Sequence, residues 1–64
     1  MEVIIARNHL KFRAPTVKQL EMIKEFKGNL SITKTDQAVI VEGVAGLLYE
    51  LLCELSRFYD ITVI

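Results

Sequence analysis

Side chains that can bind anions or exchange protons alternate along one short stretch of the chain: Arg7, His9, Lys11 and Arg13. His9 is the only histidine. If this stretch is extended, its period of two residues places all four groups on one side. Such a row of cations and one imidazole could hold an anion.

The charges are also unevenly distributed, since most basic side chains lie in the first half of the chain. The chain has no net charge, but residues 1–34 contain seven basic and three acidic side chains, whereas residues 35–64 contain one basic and five acidic. This asymmetry is compatible with an anion site on the first half, with head-to-tail contact between subunits, or with two ordinary solvated faces.

The composition gives little support for disulfides, zinc sites or catalytic groups. Cys53 is the only cysteine, so no disulfide forms and no cysteine pairs can bind zinc. A single free cysteine is typical of a reducing compartment, and we predict a cytoplasmic location. No carboxylate pair, nucleophile with an adjacent base, or glycine-rich phosphate loop is recognisable. We therefore expect a carrier or binding protein without cofactor or metal, rather than a true enzyme.

One long helix must position the rest of the chain. Between Val44 and Phe58 the apolar residues recur at helical spacing, with Glu50, Glu54 and Arg57 on the other side. This apolar stripe consists of Val44, Leu47, Leu48, Leu51, Leu52, Leu55 and Phe58. It requires a covering surface, which we predict to be a small sheet.

The preceding residues predict a strand, a connector and a helix. The strand spans Glu2–Arg7 and the polar connector spans Asn8–Ala14. The helix begins at Pro15 or at a Thr16–Gln19 capping box, and Gly28 caps its carboxyl end. After it, the alternating strand Leu30–Lys34 and the apolar strand Ala38–Val41 form a hairpin around the turn Thr35–Gln37, and Ile61–Ile64 forms a last strand.

These elements predict a single α+β domain, residues 1–64, in which two helices cover one face of a four-stranded sheet in the order βαββαβ. The order of the strands within the sheet stays open between a ferredoxin-like arrangement and a different one. The predicted core consists of Val17, Leu20, Ile23, Phe26, Leu30, Ile32, Val39, Val41, Leu47, Leu48, Leu51, Leu55, Ile61 and Val63.

From Pro15 onward the chain resembles the HPr family, the histidine-containing phosphocarrier proteins of the bacterial sugar phosphotransferase system. Pro15 aligns with the proline of the family's Gly-Leu-His-x-Arg-Pro-type motif. Without a gap, Phe26 aligns with the aromatic residue at the end of the first helix. The alternating residues of the predicted hairpin and Gly43–Leu48 at the start of the second helix follow in register.

This resemblance implies a two-layer HPr-like sandwich that carries a phosphoryl group on histidine and contacts phosphotransferase-type partners. His9 is then the candidate acceptor, although Phe12 occupies the motif's histidine position. The phosphate-binding candidates are Arg7, Lys11, Arg13 and Thr16, near the amino end of the first helix. Gly43 stands where many members have a regulatory serine. The family's third helix has no counterpart, and we expect a homodimer to cover the exposed surface.

Three alternatives remain. The chain could be a divergent HPr-like module that binds a protein partner without transfer chemistry, or an amino-acid-sensing dimer of the ACT type, also βαββαβ. Gly43-Val44-Ala45-Gly46 resembles the GxxG loop of KH nucleic-acid-binding domains, but Glu42 and Glu50 beside it disfavour phosphate contacts, and we expect no nucleic acid. The longest apolar stretch is interrupted by acids, so we expect no membrane span.

Overall fold

In the computed structural model, which describes all residues 1–64, the chain is an α+β fold with two helices and one five-stranded mixed sheet. The strands are β1 (Glu2–Ile5), β2 (His9–Arg13), β3 (Ser31–Lys34), β4 (Ala38–Glu42) and β5 (Thr62–Val63). The helices are α1 (Val17–Glu25) and α2 (Ala45–Ser56).

The sheet order is β3-β4-β2-β1-β5, and only the β1–β5 pair is parallel. The element order is therefore ββαββαβ, with five strands where the sequence predicted four. The difference lies in the segment Asn8–Ala14, which was predicted to be a connector and contains β2. Both βαββαβ predictions, HPr-like and ACT-like, place a helix directly after the first strand, whereas here a strand intervenes.

Burial of two side chains explains why β2 forms. Leu10 and Phe12 are almost completely buried, and the residues that alternate with them face the other side of the sheet. A strand with hydrogen-bonded neighbours on both sides satisfies its backbone polar groups while it buries these two side chains. The alternation of Leu10 and Phe12 with charged residues is typical of a half-buried strand, although the segment was predicted to be a connector.

Both helices pack on one face of the sheet, as predicted. The core combines inward-facing residues of β1, β2 and β4 with residues from both helices. Its members are Val3, Leu10, Phe12, Ile23, Val39, Val41, Leu48, Leu51 and Leu55. The predicted core residues Val17 and Val63 are instead mostly exposed, as are Val44 and Phe58 from the predicted stripe. Each of the four lies at or just beyond the end of its element, where little of the opposite layer remains to cover it.

The predicted capping box at the start of α1 is confirmed. The Thr16 Oγ1 accepts a hydrogen bond from the Gln19 backbone amide at 3.2 Å, and the Thr16 amide donates to Gln19 Oε1 at 2.8 Å. Thr16 is the N-cap, so Pro15 precedes the helix. The predicted glycine cap is wrong, because α1 ends at Glu25 with an extended Phe26 as the C-cap.

The hairpin of β3 and β4 is also confirmed, with a tight turn at residues 35–37. Thr35 closes it, since its backbone amide and its hydroxyl both donate to the Ala38 carbonyl oxygen, at 2.8 and 3.1 Å. Neither α1 nor α2 has the length and hydropathy needed to span a lipid bilayer.

Candidate functional site

The face of the sheet that the helices leave uncovered, the open face, carries most of the candidate residues. His9, Lys11 and Arg13 alternate with the buried residues of β2, so their side chains share this face. The predicted one-sided row is confirmed for these three residues. Because β2 is the central strand of the sheet, the row runs along the middle of the open face.

Acidic and aliphatic side chains flank the basic row. In the strand register His9 lies opposite Glu42, and Arg13 lies opposite Glu2. The Arg13 guanidinium is 3.7 Å from the Glu2 carboxylate, and both side chains are more than half exposed. This surface pair contributes little to stability. Its effect is to neutralise one end of the row.

Lys11 is the unpaired cation of the open face. Its strand neighbours are Ile4 on β1 and Ile40 on β4, and no carboxylate lies within ion-pair distance of its ammonium group. An exposed cation between two partly exposed aliphatic side chains can accept a carboxylate and an apolar group side by side.

His9 lies at the opposite end of β2 from α1. Arg13 is four residue steps away along the strand, a distance of about 13 Å at the usual rise per residue. Ala14 and Pro15 then lead to the Thr16 cap. The helix amides that were predicted to hold a phosphoryl group on His9 therefore lie beyond the far end of the strand.

The remaining phosphate-binding candidates are also dispersed. Thr16 uses its side chain for the capping box, and α1 packs on the sheet face opposite to the side chain of Arg13. Arg7 lies in the turn between β1 and β2, at the His9 end of the sheet. Of the five predicted site residues, His9, Lys11 and Arg13 share one surface, and of these only Lys11 and Arg13 lie in the half of β2 that leads to α1.

Ala14, which joins β2 to α1, has a left-handed backbone with φ of 43°. Its amide donates to the Gln37 carbonyl oxygen at 2.8 Å, which ties this junction to the turn between β3 and β4. A residue with a Cβ atom pays about 1–2 kcal/mol for this conformation. The strain is stored where the open face meets the start of α1.

Replacing Ala14 by glycine tests this strain. The change removes the Cβ conflict but adds freedom to the unfolded chain, which costs about 0.5–1 kcal/mol. We expect Ala14→Gly to raise the free energy of unfolding by about 0.5–1 kcal/mol in urea titrations. Ala14→Val, with a branched Cβ, is expected to lower it. Equal stability of all three proteins would contradict a left-handed Ala14.

Two positions that the resemblance to the HPr family singled out have structural roles. Phe12, at the motif's histidine position, has no exposed surface and belongs to the core. Gly43, at the family's serine position, follows β4 and lies so close to Leu30 that an added Cβ would be 2.5 Å from Leu30 Cδ2. The close approach also explains the first glycine of the GxxG segment. Gly46 has open space around its Cα.

A second surface, which the sequence did not single out, lies between α2 and the end of β1. There Tyr49 is exposed beside Cys53, one helical turn later, and contact with the Cys53 side chain raises the pKa of Tyr49 above its usual value. The signal that could have located this surface is a second row on the predicted helix, from Ala45 through Tyr49 and Leu52, at spacings of four and three.

Comparisons of the chain with protein-family models, with curated proteins and with solved structures found no match. The fold and the two surfaces therefore define the class only as far as an α+β domain with an open, mixed-charge sheet face. No group of three or more histidine, cysteine, aspartate or glutamate side chains converges to hold a metal ion.

Proposed function

We propose that this chain is an HPr-like domain that acts by binding a protein partner rather than by carrying a phosphoryl group. The element order from α1 to β5, which is helix, two strands, helix and strand, supports the resemblance over the part of the chain from which it was inferred. Before Pro15 the order of elements departs from the resemblance, through the additional strand β2.

The distance between His9 and the start of α1 is the observation that favours binding of a partner over transfer of a phosphoryl group. A phosphohistidine gains its stability from helix amides and an arginine that contact the new charge directly. About 13 Å of strand lies between His9 and Arg13, and the Arg13 side chain is engaged with Glu2. A phosphoryl group on His9 would instead face Glu42, its neighbour in the strand register.

The open face supplies the binding surface of this proposal. Lys11 offers a free cation flanked by Ile4 and Ile40, so the expected partner presents a carboxylate next to an aliphatic or aromatic group. Few residues contribute and all are solvated, so we expect weak, salt-dependent binding.

The first enzyme of the sugar phosphotransferase system, with phosphoenolpyruvate, tests the proposal. We expect amide resonances of β2 and β4 to shift on addition of the enzyme, and no acid-labile phosphate to appear on the folded chain. Lys11→Glu should abolish the shifts, whereas Lys24→Glu, on α1, should not. Phosphate on His9 would favour the phosphocarrier function instead, and absence of both binding and phosphate would contradict the HPr-like assignment.

A further inference from the structure

The surface between α2 and β1 is an apolar groove. Ile5, Ala6 and Arg7 line one side of it, Ala45, Tyr49 and Leu52 of α2 line the other, and Leu10 and Leu48 contribute from the core. Its volume is about 310 Å³. Ile5 is 49% and Tyr49 68% exposed, so the groove has large apolar walls in contact with water.

The outer side of α2 provides a matching ridge. Ala45, Tyr49, Leu52 and Cys53 follow each other at helical spacing, and Tyr49 is the projecting side chain. Ala45 and Cys53 are small residues on either side of it. Small side chains that flank a large one allow a second helix to approach closely in an antiparallel orientation.

The groove carries fewer charged residues than the other surfaces, and this favours a second copy of the chain as its occupant. In a two-fold interface each patch faces its own copy, so charges near the axis meet like charges. The groove contains a single charged residue, Arg7, and no acid. By contrast, the cleft between α1 and α2 contains Glu25, Glu50 and Glu54, and the open face carries several charges of both signs.

The exposed apolar area is that of a small dimer interface. Val63 pairs with Val3, two residues before Ile5 on the same side of β1, and is 61% exposed. Together with Tyr49 and Ile5 it presents roughly 300 Å² of apolar surface. A standard interface buries about 800 Å² per partner, about 65% of it apolar in homodimers. With Leu52 and the alanines added, the patch supplies the core of an interface at the lower end of that range.

We propose that a second copy of this chain occupies the groove. The two α2 helices pack antiparallel across a two-fold axis, and Tyr49 of each copy fills the groove of the other. The interface leaves the open sheet face free, so it does not depend on the proposed binding of a partner. We expect a weak dimer, with a dissociation constant of about 1–100 µM.

Sedimentation velocity of the full chain from about 1 µM to about 1 mM tests this dimer. We expect the weight-average mass to rise from monomer to dimer across that range. Tyr49→Glu should raise the dissociation constant roughly 30-fold or more, as for a central interface residue. Phe58→Glu is the matched control, because Phe58 is an aromatic residue of similar exposure, 65%, outside the groove. It should leave the dissociation constant unchanged.

Cys53 provides a second, position-specific readout. It is exposed and lies one helical turn from Tyr49, near the proposed axis. A short bis-maleimide should therefore cross-link the wild-type dimer, and Tyr49→Glu, with its cysteine intact, should lose the cross-link. A chain that remains monomeric at about 1 mM, a dimer that both acidic variants weaken equally, or a dimer without the Cys53 cross-link would overturn the proposal.

Discussion

Phe12→His is expected to remove a large part of the protein's stability. The substitution places a histidine where the resemblance to the HPr family aligns the motif's histidine, but this position has no exposed surface and lies in the core. It removes a buried aromatic ring and introduces a polar one whose nitrogen atoms have no polar partner among the core residues. We expect a loss of about 3–5 kcal/mol, against a total of roughly 3–10 kcal/mol for a domain of this size.

Lys11→His is the control for this change. Lys11 precedes Phe12 on the same strand, but its side chain faces water on the open face. Urea titrations should give a free energy of unfolding within about 0.5 kcal/mol of wild type for Lys11→His. A Phe12→His protein that folds with a loss below about 1 kcal/mol would show that β2 does not bury this position as described.

Gly43→Ala is expected to lower the free energy of unfolding by about 1–2 kcal/mol, because the new methyl group would overlap the Leu30 side chain. The cost lies in the lower part of the range for overpacking, since the atom it meets is the end of a flexible side chain. Gly43→Ser should cost at least as much. On this structure a serine at the family's regulatory position requires Leu30 to move.

Gly46→Ala is the matched comparison, as the two glycines belong to the same GxxG segment. Gly46 is the second residue of α2, and an added Cβ would meet nothing within 4 Å. The change should stabilise the helix by about 0.5–1 kcal/mol. If both alanine variants were destabilising by the same amount, the close approach of Gly43 to Leu30 would not explain the effect.

The elements that were predicted correctly are those that depend on neighbours in the sequence. The α1 cap needs only Thr16 and Gln19, three residues apart. The hairpin of β3 and β4 needs one turn, and the stripe of α2 repeats over several helical turns. Such patterns are complete within about fifteen residues and are insensitive to what packs on them.

The candidate site was predicted less well than the helix cap, the hairpin and the stripe of α2, and the cations of β2 show why. Their alternation predicted a shared face, and Lys11 and Arg13 do share one. Helix amides and His9 were expected at the same place because Asn8–Ala14 was predicted to be a connector to the first helix. Here that segment contains the strand β2, and the length of the strand moves His9 away from α1. Only the burial of Leu10 and Phe12 in the folded chain determines that outcome.

The sequence alone determined the two-layer architecture, because amphipathic helices and alternating strands have no other way to bury their apolar sides. The tertiary structure decided the strand order, the parallel placement of β5 beside β1, and which surfaces stay open. These features depend on contacts between residues far apart in the chain, such as Val3 with Val63 and Phe12 with Val39. A pair of this kind has no signature within either segment, since each strand could satisfy the same hydrogen bonds with several partners.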